Sequence, residues 1–125
     1  MKKILLGFAL LLSFQTLAFA QVPPGPSTWT SNRGSVLKLT AASGTVSGAF
    51  RGVFINRDPQ IGCRGIPYPV TGTTFFAQVS FTVNFAKCGA VVKWNGDVAG
   101  PTMAVQYAMQ RGGVTTVGFD IFNRN

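Results

Sequence analysis

The sequence predicts an all-β chain: an antiparallel meander of eight short strands, closed as an up-and-down barrel or folded as a sandwich. Two observations predict it. Apolar residues recur at every second position through most segments, the period of a strand with one buried face, and no segment sustains a 3.6-residue period. Clusters of Gly, Pro, Asn, Ser and Thr separate these segments at hairpin distances.

The first twenty residues stand apart. Lys2 and Lys3 form a basic start, Ile4 to Leu12 is an apolar run, and Ala18-Phe19-Ala20 is an A-x-A cleavage motif. Together they read as a secretory signal peptide over 1–20, too short and too small-ended for a membrane span. A secreted or periplasmic location follows, without a membrane-spanning segment. Residues 21–27 form a Pro-rich leader, in which Pro23, Pro24 and Pro26 exclude a helix. The barrel is expected over 28–125.

Candidate strands then follow in order. Ser27–Ser31 ends at the turn Asn32-Arg33-Gly34, and Ser35–Ala42 ends at Ser43-Gly44. Thr45–Asn56 is followed by a long Gly- and Pro-rich link, Arg57–Tyr68, which carries Cys63. Pro69–Thr73 turns at Thr73-Thr74 into Phe75–Phe85, the clearest case. There Phe75, Ala77, Val79, Phe81, Val83 and Phe85 share one face, against Gln78, Ser80, Thr82 and Asn84. Ala90–Ala99 places Val92, Trp94 and Gly96 opposite Val91 and Lys93; a solvated Lys93 sends Trp94 inward. Thr102–Met109 groups Val105, Tyr107 and Met109, and Val114–Asn123 closes the meander after Gly112-Gly113. In that last strand either face could point inward. If Asp120 does, it needs hydrogen-bond partners or a ligand donor. Val117, Phe119 and Ile121 then face outward as an apolar surface suited to a subunit interface.

The cysteines favour the barrel. Export implies an oxidising compartment, and an eight-stranded meander brings the loops holding Cys63 and Cys88 to the same rim. A bridge there would close a loop of about 25 residues and contribute about 3 kcal/mol. The same loops carry Arg33, Arg57, Arg64, Lys87 and Arg111, whereas the opposite turns carry no basic residue. In a chain of formal charge +8, such a ring would draw in an anionic ligand or partner, or serve solubility alone.

Composition narrows the chemistry. With no His and no Glu, neither a Ser-His-Asp nor a Cys-His arrangement can be built, and no enzyme is expected. The three acids, Asp58, Asp97 and Asp120, argue against a metal cage. No exposed series of stacking aromatics points to nucleic acid.

Four stretches resemble the avidin/streptavidin family of biotin-binding barrels. Trp29-Thr30-Ser31-Asn32-Arg33-Gly34-Ser35 resembles its opening W-x-N-x-x-G-S, and Phe50-Arg51-Gly52-Val53-Phe54 its third strand. Phe81-Thr82-Val83-Asn84-Phe85 with Trp94-Asn95-Gly96 resembles F-T-V-N-W … W-x-G, and Val117-Gly118-Phe119-Asp120-Ile121-Phe122 the closing V-G-x-D-x-F. Their order and spacing, with the Cys63 and Cys88 segments, are most similar to the short, disulfide-bearing bacterial avidins. The resemblance implies an eight-stranded antiparallel barrel that holds biotin in its lumen as a ligand, with no cofactor.

Carried over residue by residue, the resemblance makes Ser35 a donor to the ureido oxygen and Asn56 and Asp120 acceptors from the ureido nitrogens. Ser31 takes the place of an Asn in the oxygen-binding trio. Phe54, Phe85, Trp94 and Tyr107 become the aromatic walls. Several positions depart from the family pattern. Phe54 lacks the usual Tyr hydroxyl, Phe85 and Tyr107 replace Trp, Ala90 and Val92 replace hydroxyl residues, and Arg33 stands where Leu is usual. These losses imply weakened biotin binding, or a lumen turned to a more apolar or anionic ligand. The short loop Gln110–Gly113 holds no Trp to cap a neighbouring pocket, which favours a homodimer over a tetramer.

Overall fold

In the computed structural model, the described residues are Val22, 25–42 and 47–125. The predicted signal peptide, Pro23-Pro24 of the leader and the Ser43-Gly44 turn lie outside them. Strands β1 (Ser27–Ser31), β2 (Val36–Ala42), β3 (Ser47–Ile55), β4 (Pro67–Phe75), β5 (Gln78–Phe85), β6 (Ala90–Ala99), β7 (Thr102–Arg111) and β8 (Val114–Arg124) follow one another along the chain. Each pairs antiparallel with the next, and β8 pairs with β1, so the sheet closes into an eight-stranded barrel. That last pairing rules out the sandwich.

Alternation decides which side chains fill the barrel. Val79, Phe81, Val83 and Phe85 of β5 are buried, as are Val92, Trp94 and Val98 of β6 and Met103, Val105 and Tyr107 of β7. Successive side chains of a strand point to opposite faces, so every second residue enters the lumen. Aromatic rings then stack through it. Trp94 lies parallel to Phe81 at 5.0 Å between centroids and 4.8 Å from Phe54, which meets Phe85 edge-on at 5.9 Å. Such offset and edge contacts add roughly 0.5–1.5 kcal/mol per pair beyond the area buried.

One hairpin departs from the expectation. β4 runs on to Phe75, which pairs with Gln78, so the turn is Phe76-Ala77 and not Thr73-Thr74. Thr73, Thr74 and Phe75 stay in the ladder because they face Ala49, Gly48 and Ser47 of β3. Phe75 and Ala77 therefore leave the buried face of β5; Phe75 is 58% exposed. Alternation alone continued straight through the turn because Phe76, at φ 53°, takes a backbone conformation that bulky residues seldom mark. The β7–β8 turn is tighter than expected as well. Gln110 pairs with Thr115, leaving Gly112-Gly113 as a two-residue loop with both residues at positive φ.

A disulfide joins Cys63 to Cys88 with Cα atoms 6.0 Å apart, tying the β3–β4 link to the 3₁₀ turn Ala86–Cys88. The meander places the β1–β2, β3–β4, β5–β6 and β7–β8 connections at one end of the barrel, with the five basic residues named above. No helix among the described residues is long and apolar enough to cross a membrane.

Candidate functional site

Asp120 is the centre of the lumen. It sits on β8, 7% exposed, opposite Val105 of β7. The strand period that sends Phe122 into the core also turns Asp120 inward and leaves Val117, Phe119 and Ile121 on the outside. A buried carboxylate must be satisfied by donors. The indole Nε1 of Trp94 donates to its Oδ2 at 3.0 Å, and Nε of Arg33 donates to its Oδ1 at 3.0 Å. Burial pushes the Asp120 carboxyl above the usual carboxylate range, against the pull of the Trp94 hydrogen bond and the Arg33 charge. For Arg33, burial works toward a lower pKa, but neighbouring Tyr107, Asp120 and Asp58 outweigh it and raise the guanidinium.

The loops at the mouth are built by their own side chains. Ser31, at the end of β1, accepts hydrogen bonds from the backbone N–H groups of Arg33 at 3.2 Å and Ser35 at 3.0 Å, closing the turn between β1 and β2. The Ser35 hydroxyl donates to Asn56 Oδ1 at 3.3 Å and accepts from the N–H of Arg57 at 2.8 Å. Asn56 is fully buried and fully engaged. Its Oδ1 also accepts from the N–H of Asp58 at 3.0 Å, and its Nδ2 donates to the carbonyls of Asp58 at 2.9 Å and Gly62 at 2.7 Å. An amide whose oxygen and nitrogen both bond to the link that follows it acts first as a clamp on that link. β2 begins one residue after Ser35 and β3 ends one before Asn56; their carbonyls instead accept from Ser31 N–H at 2.8 Å and Gly65 N–H at 2.9 Å.

The four aromatic residues are all buried. Phe54, Phe85 and Trp94 are at most 1% exposed, and Tyr107 is 6% exposed. Tyr107 lies over Gly118 of β8, where any Cβ would come within 2.5 Å of its ring and hydroxyl. Only glycine lets the phenol lie flat there. The Tyr107 hydroxyl donates to Gln60 Oε1 at 3.4 Å. Ser31, Ser35, Asn56, Phe54, Phe85, Trp94, Tyr107 and Asp120 are thus brought to one half of the barrel. Ala90 and Val92 are also buried in it.

Sequence reasoning missed Asp58. It is 5% exposed, in the β3–β4 link; its Oδ2 accepts from Arg33 Nη1 at 3.2 Å and its Oδ1 from the N–H of Gln60 at 2.9 Å. The signal was present in the composition, since a chain with three acids that buries two is using them for something specific. No grouping of three or more metal-ligating side chains occurs among the described residues.

Outside the barrel lies a groove of about 720 Å³, bordered by Phe75, Gln78, Gly96, Gln106, Phe119 and Ile121. It runs across β4–β8, and its floor includes Val79, Val105 and Asp120. Val117 is 73% and Phe119 68% exposed beside it.

Comparison with known proteins agrees with this geometry. The family model described as the Avidin family matches residues 25–124. Afifavidin of Afifella pfennigii is 34% identical over 79 residues, a match covering 60% of this chain and 48% of that protein, so the aligned part spans about half of the curated relative. A bradavidin2–biotin complex superposes with a TM-score of 0.75 at 32% identity, covering 82% of this chain and 99% of that one. A complex of short afifavidin with biotin gives 0.72 at 28% identity, covering 91% and 97%.

Proposed function

The chain belongs to the avidin family, and from that premise we propose that it binds biotin non-covalently in the barrel lumen. The observation that carries the reading is the buried Asp120 carboxylate, oriented by the Trp94 indole between aromatic walls. A ureido ring offers two N–H donors and one carbonyl. Asp120 supplies an acceptor, and Ser31, whose hydroxyl accepts from Arg33 and Ser35 N–H, can turn its O–H to the oxygen; Ser35 would join it by releasing Asn56 Oδ1. The relatives crystallised with biotin at 32% and 28% identity support the ligand. This is a family of binding proteins and not of enzymes, and biotin would be ligand and not cofactor.

The affinity is proposed to lie below the limit for non-covalent complexes. Phe54 has no hydroxyl, Ala90 and Val92 have none, and Asn56 is occupied by its loop. Each of these four missing or occupied polar partners costs roughly 1–2 kcal/mol, together about 4–8 kcal/mol. Taken from a ceiling of about −18 kcal/mol, that leaves about −10 to −14 kcal/mol, a Kd of roughly 0.1 to 50 nM. Titration calorimetry with biotin tests the reading; no heat and no thermal shift at millimolar biotin would overturn it. The buried Phe54 and Val92 support a second ligand class, a more apolar ring, which the same titration with apolar acids would reveal.

Secretion is proposed with it, on the signal-like residues 1–20 and the disulfide. A homodimer is proposed on the exposed apolar face of Val117, Phe119 and Ile121, since patches of this kind mark interfaces.

A further inference from the structure

Arg33 spans the entrance of the lumen. It projects from the connection between β1 and β2, and its guanidinium meets two carboxylates and one ring. Nε donates to Asp120 at 3.0 Å, Nη1 donates to Asp58 at 3.2 Å, and the guanidinium carbon lies 5.6 Å from the centre of the Tyr107 ring. The partners differ in exposure. Asp58 and Asp120 are 5% and 7% exposed, whereas the Arg33 side chain is 34% exposed and carried on a turn.

The two carboxylates are engaged in the same way. Each has one oxygen held by the frame: Asp120 Oδ2 by the Trp94 indole, Asp58 Oδ1 by the Gln60 N–H. Each gives its other oxygen to Arg33. Moving Nε away from Asp120 would free one inward-facing acceptor, oriented by Trp94, while Nη1 could keep its hold on Asp58. The arrangement is a hinged cover with Asp58 as its anchor.

We propose that Arg33 is the specificity-determining residue of this lumen, a tethered cation that occupies the ligand's acceptor on Asp120 until a ligand with N–H donors replaces it. The inference rests on the reading of the lumen as a biotin site and deepens it. A ring lacking N–H donors leaves Asp120 to Arg33 and is rejected, because a carboxylate stripped of its cation and given nothing in return is a buried unpaired charge. A ureido ring restores a donor and is admitted, at an affinity reduced by the displaced pair. Arg33 thus selects for donors, where the aromatic walls select only for shape.

The test is calorimetry with biotin and with uncharged biotinamide on the protein and on Arg33→Leu, with Arg33→Gln measured alongside in case the leucine variant does not fold. Removing a partly exposed charge-assisted competitor should tighten biotin binding by about tenfold. Salt supplies a readout that a purely structural role would not move. Added salt weakens the Arg33 pairs, so biotinamide affinity should rise with salt in the protein and stay flat in the variants. If the protein binds biotin and the variants bind no tighter, the inference falls and the biotin reading stands. If only the variants bind, Arg33 closes the site and the biotin reading of the native protein falls. If none binds, both fall.

Discussion

Replacing Asp120 with Asn should separate binding from folding. The amide has the shape of the carboxylate, and its Oδ1 can still accept from the Trp94 indole, which donates at 3.0 Å. What is lost is charge. A hydrogen bond to a charged acceptor contributes about 1.5–3 kcal/mol, so biotin should bind roughly 10 to 150 times more weakly. The Asp120→Asn change would also release Arg33, whose competition offsets part of that loss, and the lower part of the range, about tenfold, is expected. The fold should barely notice. The Arg33–Asp120 pair is one-third exposed on the arginine side and Arg33 keeps Asp58, so its loss costs about 0.2–1 kcal/mol. Relief of the buried charge works in the opposite direction. The sign of the pH dependence follows from the raised Asp120 pKa. The fold favours the protonated acid, so the contribution of Asp120 to stability is full below the ordinary aspartate pKa and is lost as pH rises through its folded value. An amide has no such dependence. Urea unfolding of the apo proteins should therefore show the variant gaining on the parent as pH rises from about 4 toward 7. A variant that loses several kcal/mol of stability while binding biotin as tightly as the parent would refute the reasoning, because Asp120 would then be a structural group.

Three further outcomes are expected. Cys63→Ser with Cys88→Ser removes a link across 25 residues, which the chain-entropy relation values at about 3.5 kcal/mol, and scanning calorimetry should show a fall in Tm of roughly 10–20 °C. Phe54→Tyr adds a hydroxyl to a ring that is 1% exposed; apo stability should fall by about 1–3 kcal/mol in urea titration while biotin binds at least about fivefold tighter in calorimetry. Phe119→Asp places a charge in the exposed apolar face, and analytical ultracentrifugation should show a dimer becoming a monomer with the barrel intact by circular dichroism.

The strands were legible because burial imposes a period of two. Val79 to Phe85, Val92 and Trp94 announce their faces, and that is enough to place a lumen. The inward turn of Asp120 was open on alternation alone; the burial of its neighbour Phe122 decides it. The disulfide could be anticipated because meander topology fixes which loops share a rim. The hairpin at Phe76-Ala77 was hidden, since two phenylalanines look like strand and not turn. Arg33 was conspicuous as one of the basic residues of the rim and as an arginine in a leucine position, not as a partner of Asp120. Its partners lie 25 and 87 residues away, and no periodicity reports on a contact between a turn and a distant strand. The engagement of Asn56 was equally hidden, because it depends on carbonyl directions within an irregular link.

The barrel closes where its first and last strands meet. β1 and β8 are joined through Trp29 with Arg124, Thr30 with Asn123 and Ser31 with Phe122, supplemented by Asn125 N–H donating to the Thr28 carbonyl. This seam is short and joins the first and last strands, so it carries the largest loop-closure entropy of the strand pairs in the barrel. Ser31 and Arg33 approach the lumen from one side of it and Asp120 from the other. The pocket therefore does not exist until the seam is sewn. A ligand held between the two sides would work as a stitch across it, slowing the opening of the barrel and lengthening the life of the folded chain.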